Sequence, residues 1–397
     1  MRNILNIFLI CFVFFSCSKN FKNSSYQITG TIENEGLITI DLDSAELFRP
    51  QQWTYLSSVF TKAKTIILET NTDALVGEFF EFRACGDFLY ILNTQAPKDF
   101  LVFNKEGKFI RKIGGRGGGP GEYTRVYGFT IDPDNQIIYL LCDRVINKYS
   151  MDGVFLGALH IDTHASEIQY CHGKLYVESR TDYLLRELDI DSGKQTNQFL
   201  NSNQYNKGWI EDSYIYEGGP FKHYSSESPK FVHLFMDTIV TITQNGPAPF
   251  LAIKSKHLTT NDDFKATKGM EPSEKIEYIK SKNRIFCILG YIETKNHIYF
   301  NYEYGHTRRM ILYDLTSHTY KQAALYNDFV FKPSSRGMQS FLFSDSNGVY
   351  ESFYSVRNKF FFERIKQGEL APDLDKRDQL MKLDEEANPV IFYYSYD

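Results

Sequence analysis

Phe88-Leu89-Tyr90-Ile91-Leu92, then Asp99-Phe100-Leu101-Val102-Phe103-Asn104, then Lys105-Glu106-Gly107-Lys108-Phe109-Ile110 is the stretch on which the fold turns. It reads as three short apolar strands joined by turns. The same order returns at Ile137-Ile138-Tyr139-Leu140-Leu141, Val145-Ile146-Asn147-Lys148-Tyr149 and Met151-Asp152-Gly153-Val154-Phe155-Leu156. A third copy is Lys174-Leu175-Tyr176-Val177, Tyr183-Leu184-Leu185-Arg186-Glu187-Leu188 and Asp191-Ser192-Gly193-Lys194. Weaker copies lie around Thr238-Ile239-Val240-Thr241-Ile242 and at His297-Ile298-Tyr299-Phe300 with Met310-Ile311-Leu312-Tyr313-Asp314. The period is about 40 residues, and Gly107, Gly153 and Gly193 sit where a tight hairpin demands positive φ. A small antiparallel sheet cannot bury both faces alone, so such units must stack radially. The unit is the blade of a β-propeller.

Composition agrees with an all-β chain. Of 397 residues 42% are hydrophobic, and 27 Tyr and 33 Phe bring the aromatic share to 16%. Aromatic side chains suit pleated, half-buried strands and the core between blades. A sixth unit is expected near Met338 to Glu363, where Phe341-Leu342-Phe343 and Lys359-Phe360-Phe361-Phe362-Glu363 read as strands. The terminal Asn388-Pro389-Val390-Ile391-Phe392-Tyr393-Tyr394-Ser395-Tyr396 is a further strand. Because a ring must close, it should share a blade with the early strands Leu37-Ile38-Thr39-Ile40 and Thr65-Ile66-Ile67-Leu68-Glu69. Two short helical insertions are expected, one over Ser273–Lys280 after Pro272 with Ser at a capping position, the other within Asp373 to Glu386.

The N-terminus is an address. Met1-Arg2-Asn3 is a positive start, and the apolar run from Ile4 to Phe15 is too short for a bilayer span of about 20 residues. It ends in Phe14-Phe15-Ser16-Cys17, which resembles the lipobox of bacterial lipoproteins. That resemblance implies cleavage before Cys17 and lipid attachment to its thiol. The expected division is a signal peptide over 1–16, an anchor and tether over 17–36, and a propeller over 37–397. Residues that follow the Cys, Ser18-Lys19-Asn20-Phe21-Lys22-Asn23, lack the acidic tract of some surface-exported lipoproteins and lean towards the periplasmic side of a Gram-negative outer membrane.

Charge narrows the partners. Lys+Arg 44 against Asp+Glu 49 gives −5, and loss of Arg2 with the leader makes it −6. A nucleic-acid binder needs a concentrated basic surface, so none is expected here. The membrane is reached through lipid and not through headgroup attraction. Cys85, Cys142, Cys171 and Cys287 have no metal spacing and lie in apolar stretches, so buried free thiols are expected. No metal and no cofactor is called for.

Phe103-Asn104-Lys105-Glu106-Gly107-Lys108-Phe109-Ile110, with Ile113-Gly114 and Arg116-Gly117-Gly118-Gly119-Pro120-Gly121-Glu122-Tyr123, resembles the six-bladed, NHL-like β-propeller lipoproteins of Bacteroidetes. Asn388-Pro389-Val390 and Ile67-Leu68-Glu69-Thr70 are similar to that family as well. The resemblance spans most of the chain from about Leu37 to Asp397 and implies fold and anchoring, with no common ligand or reaction.

Candidate sites follow from that geometry. The Gly114 to Glu122 loop lacks the G-x-G-x-x-G or Gly-Lys-Ser/Thr pattern of nucleotide loops and reads as a crossing from the outermost strand of one blade to the innermost of the next. Such crossings border the central channel, which makes Arg116, Glu122, Tyr123 and Arg125 candidate groups at a ligand mouth. Trp209 and Arg284, at other crossings, join them; Trp209 reads either as a platform for a sugar ring or as packing between sheets. Asp132-Pro133-Asp134-Asn135 and Asp189-Ile190-Asp191-Ser192-Gly193 are turns, without the bidentate Glu of a Ca²⁺ loop. Nine His form no HExxH. The leading expectation is a non-catalytic binding module for a glycan, peptide or envelope protein. The alternative is a glycan- or lactone-directed hydrolase or lyase, which should place paired carboxylates at the channel opening.

Overall fold

The computed structural model describes residues 36–43, 52–77, 80–95, 98–210, 219–223, 228–332, 341–352 and 356–396. The leader, Cys17 and the tether up to residue 35 lie outside the described residues. Six antiparallel sheets form a six-bladed propeller. Blade 1 holds Phe80–Cys85, Phe88–Asn93, Phe100–Asn104 and Phe109–Lys112; blade 2 holds Gly128–Asp132, Ile137–Cys142, Val145–Ser150 and Phe155–His160. Blade 3 holds Ile168–Cys171, Lys174–Glu178, Tyr183–Leu188 and Gln195–Asn201; blade 4 holds Phe221–His223, Lys230–Phe231, Thr238–Thr243 and Gly246–Lys254. Blade 5 runs through Ile285–Glu293, His297–Tyr304, Thr307–Asp314 and Thr319–Tyr326.

In blades 1 to 3 the repeat read from sequence is therefore the second, third and fourth strand, and the first strand is new. These first strands line the channel and stitch it shut. Glu81 accepts the Phe129 N–H at 3.2 Å, Thr130 Oγ1 that of Tyr170 at 2.8 Å, Glu167 that of Phe221 at 2.9 Å and Ser344 Oγ that of Glu293 at 3.2 Å. Each bond joins one blade to the next and satisfies a backbone donor that no ladder reaches. Between blades the core is aromatic: Phe100 meets Phe129 at 4.6 Å between ring centroids, Tyr139 stacks on Tyr170 at 6.3 Å, and Phe82 meets Tyr350 at 5.3 Å. This radial stacking absorbs the surplus of Tyr and Phe.

Blade 6 closes the ring with both ends of the chain. Phe341–Ser344, Gly348–Ser352 and Val390–Ser395 are joined by Lys62–Ile67, which pairs antiparallel with Val390–Ser395 as the outermost strand. Asn388 sits over the seam. Its Oδ1 accepts the Val76 N–H at 2.9 Å, its Nδ2 donates to the carbonyls of Glu69 (2.8 Å) and Ala74, and its own N–H donates to Thr70 Oγ1. Gly107 stands at the same seam with φ +90°, and a Cβ there would collide with the Ile67 carbonyl. Gly107→Ala should therefore cost about 1–2 kcal/mol in chemical denaturation, and an unchanged midpoint would refute that crowding.

The early strand near Ile38 does not share blade 6, contrary to expectation. Ile38–Asp41 runs parallel to Gly246–Lys254 as a fifth strand of blade 4, and Gln52–Tyr55 runs parallel to Thr319–Tyr326 as a fifth strand of blade 5. Ile40 and Leu42 are fully buried there, so alternation drives this segment onto an outer edge, while Lys62–Ile67 takes the closing position. The chain thus straps blades 4, 5 and 6 before it begins blade 1.

A second correction concerns Lys359–Glu363, expected as a strand and found inside the helix Val356–Lys366. Three consecutive Phe suggest a strand, but Phe361 and Ile365 are both buried at a spacing of four, which is helical. The helix Pro272–Ser281 stands where expected, with Glu271 at its cap, so that Ser273 lies in the first turn. Within Asp373 to Glu386 only Arg377–Leu380 is helical. Short helices at Ser202–Tyr205 and Asn261–Ala266 were not foreseen; Thr260 and Asp263 cap the second reciprocally.

Candidate functional site

Strands within a blade alternate in direction, so the crossings between blades and the turns between second and third strands open on one side of the ring, the entry face. Residues that begin a first strand, or end a second one, stand at the mouth of the channel on that face. Phe80-Glu81-Phe82-Arg83, Glu167-Ile168-Gln169, Phe221-Lys222 and the end of Lys174–Glu178 all meet this condition.

Their side chains form one polar cluster. The Arg83 guanidinium donates twice to Glu81 Oε1, at 3.1 and 2.6 Å, and once to Gln169 Oε1 at 3.3 Å. Glu81 keeps 19% of its side chain exposed, so water in the channel reaches it. Glu167 is half-buried. Gly128 lies between the two: a Cβ there would stand 3.1 Å from Glu81 Oε2 and 4.0 Å from the Glu167 backbone. Lys222 donates to the Gly219 carbonyl and faces Glu167.

A second half of the cluster centres on Glu178, whose side chain is 1% exposed. Ser166 donates to its Oε2, the Arg180 guanidinium lies 3.2 Å from its Oε1 and His233 Nε2 lies 3.4 Å from the same oxygen. Asn206 Nδ2 donates to His233 Nδ1 at 3.1 Å, which leaves Nε2 to carry the ring proton towards Glu178. The serine bonds to the carboxylate and not to the imidazole, so these groups do not have the order of a nucleophilic triad.

Burial sets the protonation of the three acids apart. Desolvation pushes Glu167 up to about 8; Glu81 and Glu178 add to the rise, while the Phe221 N–H and Lys222 oppose it. Desolvation also raises Glu81, against the pull of Arg83. Burial alone would raise Glu178 too, but the hydrogen bond from His233 and the charge of Arg180 overcome it and hold the carboxyl below its usual range. Near neutral pH the mouth therefore holds a protonated Glu167 near the carboxylate of Glu178.

The residues singled out by sequence lie elsewhere. Gly115–Arg116 pairs parallel with Glu122–Tyr123 in a two-stranded ladder on the crossing from blade 1 to blade 2. Arg116 is 55% exposed and 3.9 Å from Asp99; Glu122 accepts the Gly119 N–H at 2.8 Å; Arg125 is exposed. Tyr123 is buried, with its hydroxyl on the Ile113 carbonyl at 3.2 Å. Trp209 is also buried, 5.2 Å from Phe235 and 6.4 Å from Phe264, beside Ile276 and Ile279 of the helix Pro272–Ser281. Arg284 pairs with Asp263 at 3.0 Å behind the adjoining helix cap. Both Asp turns are turns: Asp132 Oδ1 accepts the N–H groups of Asp134 and Asn135, and Asp189 Oδ1 those of Asp191 and Ser192. Cys85, Cys142, Cys171 and Cys287 are free thiols, the last two buried as expected and the first two only half-buried.

Sequence reasoning missed Glu81, Glu167, Glu178, Lys222 and His233. A signal existed in the alternation of charged with aromatic residues over Phe80-Glu81-Phe82-Arg83, but it takes its meaning only once that segment is known as the first strand of a blade.

The family described as a domain of unknown function, DUF4934, matches residues 37–395. The chain is a DUF4934 protein. No curated protein matches it. Among solved structures, this DUF4934 chain is similar to a protein described as exported from Bacteroides fragilis NCTC 9343, at 17% identity and a TM-score of 0.68 over 91% of this chain and 99% of that one. A DUF4221-family member from Bacteroides vulgatus aligns at 14% identity and a TM-score of 0.48 over 84% and 96%. The first likeness bears on fold alone and agrees with the six blades of the DUF4934 chain. Among the described residues, no helix is long and apolar enough to cross a membrane.

Proposed function

We propose that this protein is a non-catalytic binding module of the cell envelope, held to the outer membrane by a lipid on Cys17, with the entry-face mouth of its channel as the ligand site. The observation that carries the reading is the mixed-charge cluster of Glu81, Arg83, Glu167, Lys222, Glu178 and Arg180. Most of its charges are paired with one another and fixed to the channel wall, so donors and acceptors of both kinds are held ready for a polar ligand. A glycan or a short peptide has the matching chemistry. Arg116 and Arg125, exposed on the crossing from blade 1 to blade 2, are candidate outer contacts, since such crossings border the channel. The exported character of the structural neighbour and the lipobox-like Phe14-Phe15-Ser16-Cys17 support the address.

A second reading has its own observation. Glu167 holds a proton near neutral pH while Glu178 has lost its own, and such a split is what a glycan hydrolase or lyase uses for its acid and base. One experiment separates the two. The chain from Ser18 onward is screened by thermal shift against glycans and peptides, since a ligand of the native state raises the melting temperature by mass action. Binding is expected to weaken at least about tenfold in Arg180→Ala, with the ligand recovered unchanged. Turnover of a hit would favour the enzyme, and a hit indifferent to Glu167→Gln and Arg180→Ala would remove the site from the channel mouth.

A further inference from the structure

Phe80-Glu81-Phe82-Arg83 begins the first strand of blade 1 and divides the channel mouth in two. Alternation along a strand sends successive side chains to opposite faces. Glu81 and Arg83 turn towards blades 2 and 3: Glu81 accepts the Phe129 N–H at 3.2 Å, and Arg83 lies 4.9 Å over the Phe129 ring and donates to Gln169. Phe82 turns the other way, to blade 6, with Phe343 at 6.3 Å and Tyr350 at 5.3 Å between ring centroids. The charged cluster thus occupies the wall from blade 1 to blade 4, and the wall from blade 1 back to blade 6 has a different chemistry. There Phe341-Leu342-Phe343 opens the first strand of blade 6, and all three side chains are half-buried. Phe341 pairs with Glu351 and Phe343 with Tyr350, so Leu342 is the extra residue of a bulge at the mouth. Leu342 and Phe343 pack with Val76 and Phe80 against one core cluster. Next to Val76, on the crossing from blade 6 to blade 1, Leu75 is 46% exposed. These residues form an apolar lip that adjoins the charged wall at Phe80 and Glu81.

We propose that the mouth selects a peptide in which an aliphatic or aromatic side chain stands next to a charged one. This rests on the reading of the mouth as the ligand site and names the ligand class within it. The apolar side chain of the peptide lies on Leu75, Val76, Phe80 and Leu342. Its charged side chain and backbone turn to Glu81 and Arg180, the members of the cluster that solvent reaches, at 19% and 28% exposure. A carboxylate and a guanidinium on one wall meet the donors and acceptors of a peptide unit as well as a charge of either sign. A glycan matches only that wall. Leu75, Val76 and Leu342 are aliphatic and have no flat ring face for a sugar, and hydroxyls pressed against them lose water without gaining a partner.

The test titrates the chain from Ser18 onward by calorimetry with the capped tetrapeptides Gly-Phe-Arg-Gly and Gly-Phe-Glu-Gly, with the same two carrying Ser for Phe, and with a disaccharide of galacturonic acid. Saturable binding is expected for at least one Phe peptide, at least about tenfold tighter than for its Ser counterpart, as burial of one aromatic side chain implies. Leu75→Ser changes an exposed side chain while the Leu75 carbonyl still accepts from Asn93 Nδ2 at 3.0 Å, so the melting temperature should hold and affinity for the Phe peptide should fall at least about threefold. Arg180→Ala should weaken the same peptide at least about tenfold. Failure of both Phe peptides to bind overturns the proposal, as does equal binding of Phe and Ser peptides or an affinity unchanged in Leu75→Ser. Binding of the disaccharide alone, lost in Arg180→Ala, overturns the peptide but keeps the mouth as the ligand site. Peptide binding indifferent to both Leu75→Ser and Arg180→Ala overturns the two readings together.

Discussion

Asn388→Ala is expected to lower the stability of the folded chain by about 3 kcal/mol, the sum of three side-chain hydrogen bonds of roughly 1 kcal/mol each. The side chain is 3% exposed and joins the C-terminal strand of blade 6 to the Glu69 and Ala74 carbonyls and the Val76 N–H, so its loss leaves buried backbone groups unpaired on both sides of the seam. The defect should be local before it is global. Amide exchange should quicken first over Lys62–Ile67 and Val390–Ser395, where the two chain ends pair, and only later in blades 2 and 3. Asn388→Asp should be worse, because it turns a carboxylate oxygen towards two carbonyls that now accept from an amide. A denaturant midpoint within about 0.5 kcal/mol of the parent would mean that packing, and not this latch, closes the ring.

Glu167→Gln should remove the pH dependence of stability that Glu167 imposes. Its carboxyl titrates at about 8 in the folded chain against an ordinary 4.5, so the folded state holds a proton that the unfolded chain has released. Where the unfolded state binds fewer protons, stability falls as pH rises. The parent is thus expected to be fully stable in this respect below about 4.5 and to lose stability up to about pH 8, by 2–4 kcal/mol once screening by channel water is allowed for. Glutamine keeps an oxygen for the Phe221 N–H but carries no charge. The variant should match the parent at pH 5 and exceed it by about 2 kcal/mol at pH 9. Glu81→Gln should shift the midpoint of the parent profile downward, since a like charge beside Glu167 is removed. Parallel stability curves for parent and Glu167→Gln between pH 5 and 9 would refute the account.

Legibility in the sequence followed the range of the interactions. The second to fourth strands of blades 1 to 3 are joined by short turns, and glycines such as Gly107 and Gly153 mark them, so local chemistry announces them. Polar residues that face the channel interrupt the first strands, so Gly128–Asp132 and Ile168–Cys171 carry no clear period. Glu81 and Glu167 were missed for the same reason, because the ring brings them together across 86 residues of chain. Parallel addition of Ile38–Asp41 to blade 4 links residues more than 200 positions apart with no turn to signal it. In the Phe360-Phe361-Phe362 run, hydrophobicity was plain but its period was not, and Ile365 decides for a helix.

The strap also fixes how the ring would bear tension. Fourth strands run from the opposite side of the ring towards the entry face, and Ile38–Asp41 runs parallel to the fourth strand of blade 4, so its leading end lies on the side away from the entry face. Force applied through the N-terminal segment from that side acts along the strand axis. The pairs from Ile38 with Leu251 to Asp41 with Lys254 are then loaded in shear and share the load, whereas a pull across the sheet would break them one by one. Behind them stand Gln52–Tyr55 on blade 5 and then Lys62–Ile67 in blade 6. Under tension through its N-terminal segment the propeller would shed two outer strands in turn before the seam that closes it felt any strain, which makes the fifth strands of blades 4 and 5 a mechanical fuse in front of a ring whose channel stays whole.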